Sequence, residues 1–511
     1  MLARVQSCAI LGIDSIPLAI EVDTSPGMQR FVIVGLPDAA IKESSERVTA
    51  AVKNSGFRTP RGTTLVNLAP ADIRKEGSAL DLPIALGILA STDQLRSETL
   101  GDYVIVGELA LNGAVRPVAG ALSMAIGARA KGMRGIVLPV DNAEEAGVVE
   151  GVDVISVRTL DEAAAFMSGK LDLVPQQTDF AALARERRNG TGDLSEVRGQ
   201  AHVKRALTVA AAGGHNLLMI GPPGTGKTML ASRLAGILPE MTFDEALETT
   251  RIYSVAGSLL GGRRIVHERP FRAPHHTATT VSISGGGHGS RPMPGEVSLA
   301  HNGVLFLDEL PEFNRGALEV LRQPLEEGLV HIRRANYSVA YPSRFMLVAA
   351  MNPCPCGHRT DPKKECRCSA GEIQRYTTRL SGPLLDRIDL HIEVPALSYD
   401  EIAGSDRSGP TSADVREEVQ RVRNIQRDRY DGAFACNAHL DAAATRKHCK
   451  LAEGADSLLQ NAIDQLGFSA RAYDKVLRVA RTLADLDSAD EIFTQHVAEA
   501  IQYRSLDRQM P

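Results

Sequence analysis

The sequence predicts a multidomain α/β protein that ends in a helical region. Three observations carry this expectation. A short apolar run, Asn216-Leu217-Leu218-Met219-Ile220, leads into the glycine-rich loop 221–228, and a helix-like segment follows at 229–238. Strand-like and helix-like segments alternate through residues 1–170. Beyond residue 396, charged segments with apolar residues at helical spacing take over. A chain of 511 residues exceeds one hydrophobic core, and roughly two to four domains are expected.

From the N-terminus, residues 30–34 read as a strand, 43–53 as a helix, 63–68 as a strand and 80–89 as an apolar helix. Residues 103–118 are broken by Asn112-Gly113, which signals a two-residue hairpin turn. Thr159-Leu160-Asp161-Glu162 has the spacing of a capping box ahead of a helix at 163–167. Residues 171–192 are polar and lack an apolar face, as a linker would. An α/β core is expected over 193–395. Residues near 257–297 read as an insertion in it, because Gly285-Gly286-Gly287-His288-Gly289 is too glycine-rich for a packed element. A cysteine-rich loop occupies 354–368. A helical domain fills 396–511, with Val415, Val419, Val422 and Ile425 on one face and Val476, Leu477, Val479, Ala480 and Leu483 on another. Residues 399–411 contain Gly404 and Gly409-Pro410 and read as a flexible connection.

The chemistry concentrates in the core. Gly221-Pro222-Pro223-Gly224-Thr225-Gly226-Lys227-Thr228 stands between a strand and a helix, the context in which this spacing binds phosphate. Backbone N–H groups close around the phosphates, and the helix N-terminus adds the positive end of its dipole. Lys227 is expected on the β/γ-phosphates and Thr228 on Mg2+. Val304-Leu305-Phe306-Leu307-Asp308-Glu309 reads as a buried strand delivering two acids to its C-terminal edge. Asp308 would complete the Mg2+ shell, and Glu309 would orient the attacking water as general base. Arg344-Phe345-Met346-Leu347-Val348-Ala349-Ala350-Met351-Asn352-Pro353 is a second such strand, with Asn352 reaching a γ-phosphate or the water. Arg387 lies in a polar break between apolar runs and suits an arginine finger. Arg471 opens a strongly periodic helix.

These motifs in this order resemble an AAA+ ATPase of the magnesium-chelatase type. Arg269-Pro270-Phe271-Arg272-Ala273-Pro274-His275-His276 and the run 294–303 (PGEVSLAHNG) are similar to the ComM/YifB family, as are Val34-Gly35-Leu36-Pro37-Asp38 and the run 77–83 (GSALDLP). The resemblance covers essentially the whole chain. It implies an ATP- and Mg2+-dependent homo-hexameric translocase acting on single-stranded and branched DNA, promoting branch migration during natural transformation. In family terms, Gly221 to Thr228 is Walker A, Asp308 and Glu309 are Walker B, and Asn352 is sensor 1. Arg387 becomes the trans-acting finger and Arg471 sensor 2, and residues 193–200 (DLSEVRGQ) lead into the adenine pocket. Residues 396–511 become the helical lid.

Gly107-Glu108-Leu109 with Arg116-Pro117-Val118 resembles the Lon protease domain, which implies a ribosomal S5 domain 2 type of fold at the N-terminus. Peptidase activity is not expected. Ser78 is one residue out of register for the nucleophile, Leu122 stands where the family has its lysine, and Lys75 and Lys131 lie outside that motif. The competing functional expectation is a chelatase-like motor that remodels a protein partner or metal-insertion complex. The Lon-like domain favours the DNA motor, since it is not expected in a chelatase motor subunit.

Composition sets further bounds. The chain is 43% hydrophobic and 23% charged, with a formal net charge of −5. DNA contact must therefore come from a local basic surface. Trp is absent and aromatics make up 4%, against extensive base stacking. Arg333 and Arg334, on an alternating hairpin-like run, are candidates to grip phosphates or to pair with acids at a subunit interface. His275 and His276 are expected in a structural or DNA-contact role. Arg421, Arg423 and Arg427 read as a solvated helical face. No apolar run approaches the ~18–20 residues of a membrane span, and no signal-peptide pattern opens the chain, so a cytoplasmic location is expected. Seven scattered cysteines do not form a disulfide framework. Cys354, Cys356, Cys366 and Cys368 form two C-x-C pairs that could supply a structural zinc ion with four thiolates, although the spacing is tighter than the usual knuckle. The alternative is a group of reduced thiols.

Overall fold

The computed structural model describes residues 2–506, apart from 73, 76, 181, 183–191, 260–264, 288–291, 335, 336, 398–408 and 467. The expected connection at 399–408, the polar stretch 185–190, His288 with Gly289, and the side chain of Arg334 lie outside the described residues.

The N-terminal region adds two strands to those expected. β1 (Leu2–Leu11) and β2 (Asp14–Ser25) form an antiparallel hairpin, with Leu11 opposite Asp14. In β2, Leu18, Ile20 and Val22 face the core while Ala19, Glu21 and Asp23 alternate with them, the period of a half-buried strand. β3 (Arg30–Val34), β4 (Thr63–Ala69) and β5 (Tyr103–Ile105) follow. A small hairpin, β6 (Glu108–Leu109) with β7 (Val115–Arg116), precedes β8 (Gly135–Pro139) and β9 (Asp153–Val157). Seven strands make one sheet in the order β3-β4-β2-β1-β5-β8-β9. The helix Asp81–Ser91 is buried along almost its whole length against β1 and β2. At Gly87 it approaches so closely that a Cβ would stand 2.6 Å from Val22 Cγ2.

The turn at Asn112-Gly113 differs from expectation. Ala110 N–H bonds the Ala114 carbonyl at 2.9 Å, so three residues close the hairpin. Gly113 takes φ +84° at the third loop position, the left-handed site that such loops require. The first part of the expected linker is also docked: Gln176 N–H bonds Val154 O at 2.8 Å and Thr178 N–H bonds Gly147 O at 3.0 Å.

In the core, β10 (Leu217–Ile220) is followed by β11 (Phe271–Arg272) and the short pair β12 (Gly285–Gly286) and β13 (Met293–Pro294). Next come β14 (Val304–Leu307), the hairpin β15 (Leu329–Arg334) with β16 (Tyr337–Pro342), β17 (Met346–Met351) and β18 (Leu390–Glu393). Five of them form a parallel sheet in the order β11-β14-β17-β10-β18. Part of the segment near 257–297 is therefore core sheet, because Phe271–Arg272 pairs with β14 as its edge strand. β14 and β17 are buried at every position, as parallel strands covered on both faces must be. One face packs on the helices Ala201–Gly213 and Lys227–Ile237 and on the C-terminal helices; the other carries the cluster of Leu305, Leu347, Leu384 and Ile388.

The C-terminal region is helical, with Ser412–Tyr430, Ala455–Leu466, Ala470–Leu486 and Thr494–Gln502 as its main helices. Val415, Val419 and Val422 share one core with Leu477, Ala480 and Leu483. Asp485 is buried there between Arg429 at 2.6 Å and Arg481 at 3.0 Å. Asp485→Ala is expected to lower unfolding free energy by about 3–5 kcal/mol, since two largely buried guanidinium groups lose their counter-charge. Chemical denaturation checks this, and a negligible loss would show that the arginines find other partners.

The arginines of the helix Ser412–Tyr430 match the expected solvated face in part: Arg421 and Arg427 are exposed and Arg423 is half-buried. Arg421 donates to Ser488 Oγ and to the Leu486 carbonyl, both at 2.8 Å, and Arg423 donates to Ala211 O at 3.0 Å. Arg421 and Arg423 thus also tie elements together.

Candidate nucleotide site

The parallel register sets Ile220 beside Met351 and Leu307 beside Ala349. The residues that leave these strands, Gly221, Asp308 and Asn352, therefore emerge together at the C-terminal edge of the sheet, where open α/β folds bind ligands. The loop that follows β10 turns in a small space. A Cβ on Gly221 would stand 2.1 Å from the Val394 carbonyl, so only glycine fits. Gly224 and Gly226 take φ of +81° and +87°, and a Cβ at Gly224 would meet nothing within 4 Å. Thr225 Oγ1 donates to Pro222 O at 3.0 Å, and Gln200 Nε2 to Thr225 O at 3.1 Å, so the 193–200 segment braces the loop.

Lys227 opens the helix and is buried. Its Nζ donates to Gly221 O at 2.7 Å, Pro222 O at 2.9 Å and Asn352 Oδ1 at 3.2 Å. Burial pulls its pKa below the ordinary lysine value, while Asp308 and Glu309 act to raise it. A buried ammonium resting on neutral oxygens is poised to exchange them for an anion. Thr228 Oγ1 donates to Asp308 Oδ2 at 2.6 Å. Two adjacent oxygen ligands of an octahedral Mg2+ stand about 3 Å apart. The residues present thus fit a nucleotide phosphate with its Mg2+: an open glycine loop, a cation and a pair of hard oxygen donors.

Glu309 sits at φ +51°, in the left-handed region. A non-glycine residue there is held at a cost by its surroundings, and its N–H is tied to Asp308 Oδ1 at 2.9 Å. Its side chain is 55% exposed, and Oε2 lies 3.3 Å from His276 Nδ1. His276 is a partner that sequence spacing did not reveal, since it reaches Glu309 from a loop distant along the chain. The His275 ring lies against it, tilted by 35° with ring centroids 4.0 Å apart. Asn352 is fixed through its backbone N–H, which donates to the buried Tyr376 hydroxyl; burial pushes that phenol up to about 12.

The structure brings Lys227 onto Asn352 and Thr228 onto Asp308, with Glu309 next along the chain. Among the described residues, no hydrogen bond or ion pair joins Arg387 or Arg471 to them. Arg387 pairs with Glu326 and donates to the Pro383 carbonyl of its own chain. Arg471 is exposed in the first turn of Ala470–Leu486. Asn216 links the Arg387 segment to the sheet by donating to the Arg387 carbonyl at 2.9 Å. Beside it, Asp389 Oδ1 meets Lys475 at 2.8 Å, joining β18 to the helix that carries Arg471. Burial disfavours the Asp389 carboxylate, but Lys475 and His215 outweigh it and hold the group well below the usual range. The only hint of this pair in the sequence is a lysine flanking the apolar stripe at Val476. Arg333 is exposed on β15, whose Val330 and Ile332 face the core. Cys354, Cys356, Cys366 and Cys368 converge, with their four Sγ atoms within 4.8 Å of one another.

Three family models match consecutive stretches of the chain. They are described as magnesium chelatase, subunit ChlI, over residues 193–402; subunit ChlI of Mg-chelatase over 20–142; and the ChlI C-terminal part over 409–504. The Competence protein ComM of Haemophilus influenzae is 48% identical over 509 residues, covering 99% of this chain and 98% of that protein. A protein of Escherichia coli, "Uncharacterized protein YifB", is 45% identical with the same coverage. The chain belongs to the ComM/YifB family. This AAA+ family implies ATP and Mg2+ as ligands and ATPase activity.

Similarity to Lon is confined to part of the chain: the peroxisomal Lon protease homolog 2 of Caenorhabditis elegans is 28% identical over 165 residues, 30% of this chain and 21% of that protein. Ser78 donates to Glu108, Lys75 donates to the Pro70 carbonyl, and Leu122 is buried in the core. One expectation changes here. The N-terminal region itself matches a chelatase-subunit model, so its presence does not separate a DNA motor from a chelatase-like one. Among the described residues, no helix is long and apolar enough to cross a membrane.

Proposed function

We propose that this protein is an ATP-driven DNA translocase that promotes branch migration during recombination of transforming DNA, working as a homo-hexamer. The single observation that carries the reading is the division of the catalytic residues. Lys227, Thr228, Asp308 and Asn352 form one pocket, while Arg387 is held apart on the same chain. Such a site is completed when a neighbour's Arg387 reaches the nucleotide, which makes hydrolysis a property of the assembled ring. Nucleotide with Mg2+ supplies the transferable phosphoryl group. The chain's own part is to cradle its phosphates with residues 221–228, to orient water through Glu309 and to sense the γ-position through Asn352. Arg471 would report nucleotide state to the C-terminal helices, which act as the lid of the 193–395 core. The full-length similarity to a protein named for competence supports DNA as the track.

Exposed Arg333 on the β15–β16 hairpin supplies a DNA-facing cation in this reading. Residues 1–170 serve as a guiding domain rather than a peptidase. The chelatase descriptions of all three family models favour a second reading, a motor that remodels a protein partner or metal-insertion complex.

ATP hydrolysis measured with and without forked or Holliday-type DNA separates the two. The DNA motor predicts stimulation and junction migration at low salt, where phosphate contacts are strong. It also predicts that Arg333→Ala weakens binding uniformly across sequences and reduces the salt slope by about one. Absence of both DNA binding and stimulation at low salt would remove the DNA reading.

A further inference from the structure

Apart from its cysteines and two prolines, Pro355 and Pro362, the loop 354–368 has no apolar side chain of its own. Between Cys354 and Cys368 there is no Val, Leu, Ile, Met, Phe or Tyr. A segment of this composition cannot hold a fixed shape by burial, and small units of this kind are stapled by disulfides or metal. Its local braces are short-range turn bonds: His358 Nδ1 to Asp361 Oδ2 at 3.0 Å, Lys363 N–H to Asp361 Oδ1 at 2.8 Å, Gly357 N–H to Cys354 O at 2.9 Å and Asp361 N–H to His358 O at 3.2 Å.

The four thiols have the geometry of a metal shell. Cys354 Sγ lies 3.4 Å from Cys356 Sγ and 3.7 Å from Cys366 Sγ, and Cys356 Sγ lies 3.7 Å from Cys366 Sγ. A zinc–sulfur bond of about 2.3 Å places the corners of a tetrahedron about 3.8 Å apart. A disulfide would need about 2.05 Å, and all four cysteines are free. A backbone N–H aims at a sulfur, Cys356 N–H at Cys368 Sγ (3.4 Å). Such a donor orients a thiolate ligand in closed structural sites.

The loop is also in contact with the nucleotide site. It begins two residues after Asn352. At Gly357, φ +82°, it comes so near the phosphate loop that a Cβ would stand 2.7 Å from Pro223 Cδ and 3.9 Å from Asn352 Cγ. At its far end, the helix Ala370–Thr377 carries Tyr376, whose hydroxyl accepts the Asn352 N–H.

We propose that Cys354, Cys356, Cys366 and Cys368 bind one zinc ion, and that this zinc clamps Gly357 against Pro223 so that the phosphate loop and Asn352 are set for nucleotide. The clamp rests on the ATPase reading; the metal site does not. As the four Zn–S bonds form, the thiol protons pass to solvent, and no oxidant or reductant takes part. The four protein sulfurs leave no coordination position for a substrate, so the role is structural.

The experiment uses the untagged full-length protein, purified with reductant and without chelator. Elemental analysis is expected to find about one zinc per chain, released by a mercurial thiol reagent. Cys366→Ser/Cys368→Ser is expected to lose the metal and to bind a fluorescent ATP analogue about tenfold more weakly, the scale on which metal-site support usually acts. Should that variant fold poorly, stripping wild-type protein with the mercurial, restoring its thiols and adding zinc back gives the same comparison, with affinity expected to return. Iron in place of zinc, no metal, or two disulfides by thiol counting would overturn the site. Zinc present but nucleotide affinity unchanged on its removal would overturn the clamp. If zinc-loaded wild type itself binds no ATP analogue, the ATPase reading fails while the zinc count still stands or falls separately.

Discussion

Glu309→Gln is expected to bind ATP at near wild-type affinity and to hydrolyse it at least about 100-fold more slowly, the typical contribution of a positioned general base. The geometry explains why the two effects separate. The proposed phosphate and metal ligands are Lys227, Thr228 and Asp308, which bond among themselves or to the loop. Glu309 is not one of them. Its backbone is turned into the left-handed region, which aims the carboxylate out of the strand into the half-open space next to His276. The amide of glutamine keeps the size and most hydrogen bonds but cannot take a proton from water. Single-turnover hydrolysis beside equilibrium binding of an ATP analogue makes the measurement. A rate within about threefold of wild type would assign water activation to another group. Trapping ATP should also favour the assembled ring, so the variant is expected to elute larger than wild type when nucleotide is present.

Arg387→Ala is expected to reduce turnover by about 10³-fold or more, as removal of an arginine finger does, while leaving each chain able to bind ATP. In the single chain this guanidinium is paired with Glu326 and the Pro383 carbonyl, and no hydrogen bond or ion pair joins it to Lys227, Asp308 or Asn352 among the described residues. Under the proposed function its work is done on a neighbour. That has a sharp consequence. Lys227→Ala lacks the phosphate cation but keeps the finger; Arg387→Ala has the reverse defect. Each alone should be nearly inactive, and mixing them should restore measurable hydrolysis at interfaces where a sound pocket meets a sound finger. Failure of mixed rings to hydrolyse, with mixing shown by light scattering or crosslinking, would argue that Arg387 acts within its own chain or not at all. A dilute monomer as active as the associated protein would argue the same.

The pocket was legible because its parts are local. A strand, a glycine loop and a helix are contiguous in 217–237, and Asp308 and Asn352 each follow an uninterrupted apolar run that parallel strands buried on both faces require. Parallel pairing then aligns strand ends, so the residues after them meet. The hairpin β1–β2 was harder to see, since in β1 a polar Ser7 takes a buried position beside buried Cys8 and breaks the alternation, and no turn pair such as Asn-Gly marks Gly12-Ile13. The edge strand Phe271–Arg272 has only two residues, too few for any period.

By itself, then, the sequence determined the kind of chemistry: which groups carry charge, which strands are buried, and which family pattern they follow. Tertiary structure alone decided who touches whom across long gaps. His276 reaches Glu309, Lys475 pairs with Asp389, Arg387 is turned toward Glu326, and Gly357 is pressed on Pro223. The physical reason is that periodicity and spacing report the neighbours of a residue along one element. Contacts between elements depend on how separate surfaces pack, and no repeat along the chain records that.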